Sequence, residues 1–346
     1  HAQQTRRGAR ADQGVMAEHV TELGDGVTRI AVPTPFAVGR VNCYLVEDDP
    51  LTLVDTGPNS GTSLTELEAG LKAAGRSVEE LERIVLTHQH MDHIGLAGIL
   101  AARSGAEVVS LDLLAPWLAE FRHSMDVDDE FGEAVMSQNG MPQDLRLGMR
   151  AVSSSFRAWG DKVTVTKPLA SGNSLDFAGR SWTAHHRPGH SPSDTVFHDE
   201  RSGWLIGGDH LLAEISSNPL IARPLDRETV SAADRPPALL VYIDSMRKTA
   251  EMDVKVVHGG HGPQIDDHRA LIESRIAGHD RRAEKIAGLL DDGPANAFEL
   301  AQKMWGNVAV TQAYLTISEI LGHLDLLERD GRVERIAGDV DRYVRS

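Results

Sequence analysis

The chain has one cysteine in 346 residues, Cys43. It therefore cannot staple itself with an intramolecular disulfide, and a disulfide-framed secreted scaffold is excluded. Aromatic residues are few, at 5%. No apolar run reaches the roughly 18 to 20 residues that a membrane span needs, so no membrane partner is expected. Basic residues are outnumbered, 35 Lys and Arg against 51 Asp and Glu, for a formal net charge of -16. That balance works against general attraction to a polyanion, and nucleic acid is not an expected partner. Neither an internal repeat nor a low-complexity segment is present. Residues 1–17 lack an apolar signal core and read as a disordered tail or an expression remnant, with the cytoplasm as the default location.

What is there describes a soluble globular protein: 41% hydrophobic and 25% charged residues, in a length suited to two domains. Segments Val27 to Val32, Val41 to Val46, Leu51 to Val54 and Arg83 to Leu86 read as strands. Leu64, Leu67, Leu71 and Ala74 recur at helical spacing between the last two. A helix at Gly95 to Ala102 and a strand at Glu107 to Leu111 continue an α/β pattern. Further strands are expected at Val163 to Thr166, Trp182 to His185, Thr195 to His198, Trp204 to Ile206 and Val254 to Val257. Between them, about 113–159 reads as an inserted helical lid carrying Met125, Met136, Met141 and Met149. These side chains suit either the insertion's own core or an adaptable apolar wall for substrate. The catalytic part is expected to span 18–275.

Residues 280–346 read as a second module. A helix from about Asp266 to Leu290 precedes it, Ala297 to Trp305 is helical, and Ile317, Ile320, Leu321, Leu324 and Leu327 make one apolar helical face. Arg332 to Ile336 and Asp341 to Val344 flank a turn. This is the element order of a winged helix. Nine basic against twelve acidic residues deny it the footprint of a DNA reader, so packing or homo-oligomerisation is the expected role.

Chemistry concentrates in Thr87-His88-Gln89-His90-Met91-Asp92-His93, at the end of an expected strand. Three histidines and an aspartate in six positions offer nitrogen and oxygen donors that suit zinc or another borderline first-row metal. The motif resembles the His-x-His-x-Asp-His signature of the metallo-β-lactamase superfamily. The likeness continues through Leu53-Val54-Asp55-Thr56-Gly57, Pro188-Gly189-His190-Ser191-Pro192, Gly207-Gly208-Asp209-His210 and His258-Gly259-Gly260-His261-Gly262-Pro263, five motifs in order across about residues 20–275. The resemblance implies an αββα sandwich and two metal ions, zinc by default with iron or manganese as alternatives. One ion would be held by His88, His90 and His190, the other by Asp92, His93 and His261, with Asp209 bridging. Asp55 would fix a ligand histidine, while His210 and Asp194 are candidates for a supporting or substrate-facing place.

Such a pair implies a shared hydroxide as nucleophile, with Asp92 and Asp209 as catalytic residues and Asp92 as proton carrier. The combination with a winged-helix tail resembles the group of β-lactamase-like protein 2, and the metal motifs resemble glyoxalase-II-like hydrolases. A small acyl ester or thioester is the expected substrate. A phosphodiesterase or endoribonuclease, a lactonase, a β-lactamase-like hydrolase and a non-catalytic scaffold are the alternatives. Two departures stand out. Ser193-Asp194 replaces the Gly-His that often follows Ser-Pro in relatives, and Leu211, Leu212 and Ala213 follow His210 where lactonases of this fold carry a tyrosine.

Overall fold

A period of two in the strands sorts the apolar side chains into three layers. The computed structural model describes residues 19–227 and 231–346; the expected tail at 1–17 lies outside them. One sheet runs in chain order through β1 (Val20–Gly24), β2 (Val27–Val32), β3 (Val41–Val46), β4 (Thr52–Val54), β5 (Arg83–Val85), β6 (Glu107–Leu111) and β7 (Lys167–Leu169). Its pairs are antiparallel as far as β4 and parallel beyond. The second sheet comprises β8 (Ser174–Asp176), β9 (Ser181–His186), β10 (Thr195–Asp199), β11 (Trp204–Gly208) and β12 (Val256–Gly259), ordered β12-β11-β10-β9-β8.

Parallel neighbours need crossovers, and helices supply them. These are α1 (Gly61–Ala73), the short α2 (Met91–Ile94) with α3 (Ala97–Ser104), then α4 (Ala115–Ala119), α5 (Phe121–Gln138) and α6 (Gln143–Phe156), and in the second sheet α7 (Ala238–Ala250). Tyr44, Val46, Val54, Val85 and Val109 meet Trp182, Phe197 and Ile206 between the sheets. Their neighbours Cys43, Leu45, Leu53, Ile84 and Val108 point the other way, onto Leu67, Leu71 and Leu100 of the helices. On the outer face of the second sheet, Val196, Leu205 and Val257 pack with Leu239, Ile243 and Met246. The result is helix, sheet, sheet, helix.

One sequence expectation needs correction. Val163 to Thr166 is not a strand: Val163 is buried on the helical side, its N–H donating to Leu118 O at 3.2 Å, and pairing with β6 is taken up by Lys167–Leu169. Strands β1 and β8 add to the expected set, the second carrying little signal because Ser174-Leu175-Asp176 offers a single apolar residue. In the 113–159 insertion, Met136 and Met141 are buried in the core, and Met125 and Met149 pack on it half-buried. The methionines therefore contribute to the protein's own packing, the first of the two readings.

The C-terminal part follows as α8 (His268–Gly288), α9 (Ala297–Trp305), α10 (Val308–Thr311), α11 (Ala313–Arg329) and a hairpin of β13 (Val333–Ile336) and β14 (Arg342–Arg345). Helix α9 starts on a reciprocal cap: Glu299 N–H donates to Asn296 Oδ1 at 2.8 Å, and Asn296 N–H to Glu299 Oε2 at 2.9 Å. The apolar face of α11 is buried inside the chain, with Ile317, Ile320, Leu321, Leu324 and Leu327 in one core with α7, α8 and the second sheet. Among the described residues no helix is long and apolar enough to cross a membrane.

Candidate metal centre

Strand ends deliver the predicted residues to one place. Chain leaving β4 turns at Asp55, whose φ of 57° is an unusual left-handed conformation for a residue with a Cβ. That turn aims its carboxylate at the segment after β5: Oδ1 accepts Thr87 N–H at 2.9 Å, and Oδ2 accepts Thr87 Oγ1–H at 2.8 Å and His93 Nδ1–H at 2.7 Å. The Thr87 hydroxyl has then given up its proton, so at 3.0 Å it accepts from His88 Nδ1. His261 Nδ1 donates to Arg40 O at 2.8 Å. Each of these rings thus carries its proton on Nδ1 and presents a lone pair on Nε2.

Those lone pairs converge. His88, His90, His190 and Asp209 form one group of donors and Asp92, His93 and His261 another, the donor atoms of each group lying within 4.8 Å of one another. Asp209 stands between them. Its Oδ1 is 3.3 Å from His93 Nε2, and its Oδ2 is 3.6 Å from His190 Nε2 and 3.5 Å from His261 Nε2. His261 Nε2 is 3.3 Å from Asp92 Oδ2, and His190 Nε2 is 2.9 Å from His90 Nδ1.

The donor set fits a metal. His88 Nε2, His93 Nε2, His261 Nε2 and Asp209 Oδ1 are buried without a hydrogen-bond partner among the described residues; left so, each costs ~1–3 kcal/mol. Donors bound at ~2.0–2.1 Å to one tetrahedral ion sit ~3.3–3.4 Å apart, which is close to most of the separations here. Charge points the same way. Burial holds His88 well below the ordinary imidazole range and, with His190 beside it, takes His90 to about 3. Burial would do the same to His93 and His261, but the Asp209 carboxylate above all, helped by its neighbours, outweighs it and raises both. The Asp209 carboxyl in turn is held far below its usual range, because His93 and His261 outweigh its burial. A cation takes the place of those protons.

Glycines make the room. A Cβ on Gly260 would stand 2.2 Å from Asp209 Oδ1 and 2.7 Å from His93 Cε1, and one on Gly208 (φ 48°) would lie 2.7 Å from Thr87 Oγ1. Asn42 and Tyr44 of β3 reach across to the loop after β12: Asn42 Nδ2–H donates to Gly259 O at 2.9 Å, and Tyr44 O–H to the same oxygen at 2.6 Å. Neither residue is visible as a site residue in the sequence, since nothing local pairs β3 with a loop so far along the chain.

Two predicted residues, Asp194 and His210, lie apart from the donors. Asp194 is buried and braces the His190 loop, accepting Ser191 N–H at 2.8 Å and Ser191 Oγ–H at 2.7 Å; burial lifts its carboxyl to about 6. Its neighbour Ser193 donates to Gln89 Oε1, clasping that loop to the His88–His93 segment. His210 is fully buried: it donates from Nε2 to Thr249 Oγ1 at 2.9 Å, and its carbonyl accepts Tyr242 O–H at 2.7 Å. The Thr249 hydroxyl proton goes to Ser245 O, which fixes that direction. His258 packs against the Trp204 ring, centroids 4.7 Å apart, away from the donors.

Comparison with known proteins agrees with this geometry. The family model described as metallo-beta-lactamase superfamily matches residues 37–261. The chain is 35% identical over 307 residues to the probable metallo-hydrolase YqjP of Bacillus subtilis strain 168, covering 88% of this chain and 93% of that one. Among solved structures it is similar to the metallo-beta-lactamase family protein TTHA1429 from Thermus thermophilus, with a TM-score of 0.77 and 26% identity over 94% of this chain and 100% of the other. A beta-lactamase domain protein from Burkholderia ambifaria shares the fold at a TM-score of 0.77 and 24% identity, over 94% of each chain. With five motifs brought to one centre on two facing sheets, the chain belongs to the metallo-beta-lactamase superfamily.

Proposed function

We propose that the protein is a binuclear metal hydrolase acting on a small acyl ester or thioester. The observation that carries this reading is the position of Asp209, whose two oxygens face both donor groups at once. His88, His90 and His190 would hold one ion, Asp92, His93 and His261 the other, and Asp209 both, with zinc as the default metal. Bound there, the ions supply Lewis acidity and a water activated near neutral pH.

The chain's own residues do the rest. Asp55 and Arg40 O keep His93 and His261 in the tautomer that presents Nε2. Asp92 directs Oδ2 toward His261, which leaves Oδ1 to take a proton and pass it to the leaving group. No serine or cysteine nucleophile is required.

Two features favour an acyl substrate. The net charge of -16 disfavours a polyanion. Phe36 and Phe156 meet edge to face, with ring centroids 5.5 Å apart, and lie in segments flanking the centre. The first segment leads to Arg40 at His261, and the second to Gly160 against Met91. We read residues 280–346 as a winged-helix-like unit with a packing role. The test is a substrate screen of the metal-loaded protein against acyl thioesters, esters, lactones, β-lactams, phosphodiesters and RNA. Turnover of thioesters or esters above the others is expected. Preference for RNA or a phosphodiester would overturn the substrate class, and no turnover of any would favour a scaffold.

A further inference from the structure

We propose that His279, Glu319 and His323 form a separate cation site, for zinc or a similar borderline divalent ion, that joins helices α8 and α11. His279 lies on α8, and Glu319 and His323 stand one turn apart on the facing side of α11, where i and i+4 share a face. All three are buried, at 6%, 7% and 1% exposure. One donor atom from each lies within 4.8 Å of the others.

The hydrogen bonding fixes where the lone pairs point. His323 Nδ1–H donates to Glu319 O at 2.7 Å, so its Nε2 is unprotonated in the neutral ring. That Nε2 lies 3.3 Å from His279 Nδ1. The separation lies at the long end of hydrogen-bond distances. It matches the ~3.3–3.4 Å edge of a tetrahedron around a first-row ion, the spacing that recurs around Asp209. Both rings are neutral near pH 7, as ligands must be: burial first, then His323 and Arg282, takes His279 to about 4, and burial lowers His323.

Arg282 completes the site. Its guanidinium pairs with the Glu319 carboxylate, and its side chain is 45% exposed, so it covers the cluster from solvent and can swing away. Three protein donors leave one position for water. Because the guanidinium competes for the single carboxylate, this site binds its ion more weakly than the centre around Asp209.

The test is equilibrium dialysis of the intact chain against free zinc up to about 100 μM, a level that populates micromolar sites, with elemental analysis. Three ions per chain are expected for the wild type and two for His323→Gln. A variant lacking the first centre, His88→Ala with His261→Ala, is expected to keep one ion, which separates this proposal from the reading of the hydrolytic site. Arg282→Met removes the competing cation and is expected to tighten the third ion roughly tenfold, an effect that a purely structural histidine pair would not produce. Two ions in the wild type across the whole range, or an unchanged third ion in His323→Gln, would overturn the proposal. So would zinc binding indifferent to Arg282→Met.

Discussion

Asp55 Oδ2 accepts the Nδ1 proton of His93 at 2.7 Å while also accepting the Thr87 hydroxyl, so one carboxylate sets the tautomers of two rings, His93 directly and His88 through Thr87. Changing Asp55 to Asn puts an N–H₂ where an acceptor is needed. Metal affinity is expected to fall ~10–100-fold, measured by competition with a chromophoric chelator. Unchanged affinity in a folded Asp55→Asn protein would show that the carboxylate does not orient the donors.

Asp209 and Asp92 are expected to be indispensable. Either residue changed to Ala should reduce turnover by several orders of magnitude together with metal content, since each supplies a donor atom and Asp209 serves both groups. Near-normal turnover with full metal in Asp209→Ala would make the shared-carboxylate centre wrong for this protein.

His210→Ala belongs to a different class. With its ring buried against Thr249 and Tyr242, the substitution leaves a cavity and removes the ring's bond to Thr249 Oγ1, and should cost ~2–4 kcal/mol of stability, read from denaturant unfolding. A stable protein with a raised KM would restore a substrate-facing role.

Gly260→Ala tests the crowding at the centre directly. The added methyl would sit 2.2 Å from Asp209 Oδ1, so the carboxylate must move. Metal content and kcat/KM are expected to drop while the circular dichroism spectrum stays native. Full activity in this variant would mean the loop relaxes at no cost to the donors.

His258 governs part of the acid sensitivity. Burial and Arg29 hold its folded pKa near 4, against an ordinary 6.5. Below 6.5 the unfolded chain takes up a proton that the folded one refuses, so this contribution is intact above 6.5 and is lost as pH falls toward about 4. His258→Phe keeps the packing on Trp204 and removes the titration. In metal-free protein it should recover up to ~3 kcal/mol of the stability lost between about pH 7 and about pH 4.5. Equal acid losses in both proteins would rule His258 out.

The donors were legible because the superfamily motif compresses four of them into six positions, and the glycine-flanked histidines supply two more. The α11 face was legible from its helical period. The supports were not. Asn42 and Tyr44 look like ordinary strand residues, and only the docking of two sheets makes Gly259 O their partner. His210 sits next to a donor in sequence, yet alternation past the strand end turns it into the core, away from the site. The cluster on α8 and α11 escaped for a similar reason: His279 is 44 positions from His323, with no shared motif.

The bond from His261 Nδ1 to Arg40 O spans 221 positions. Closing so long a loop is entropically slow, and it comes after the nearer contacts. A chain still emerging from the ribosome, or one cut short before residue 261, lacks the last donor and the loop that β3 steadies. The full set of seven donors therefore exists only once residue 261 has been made and docked against β3.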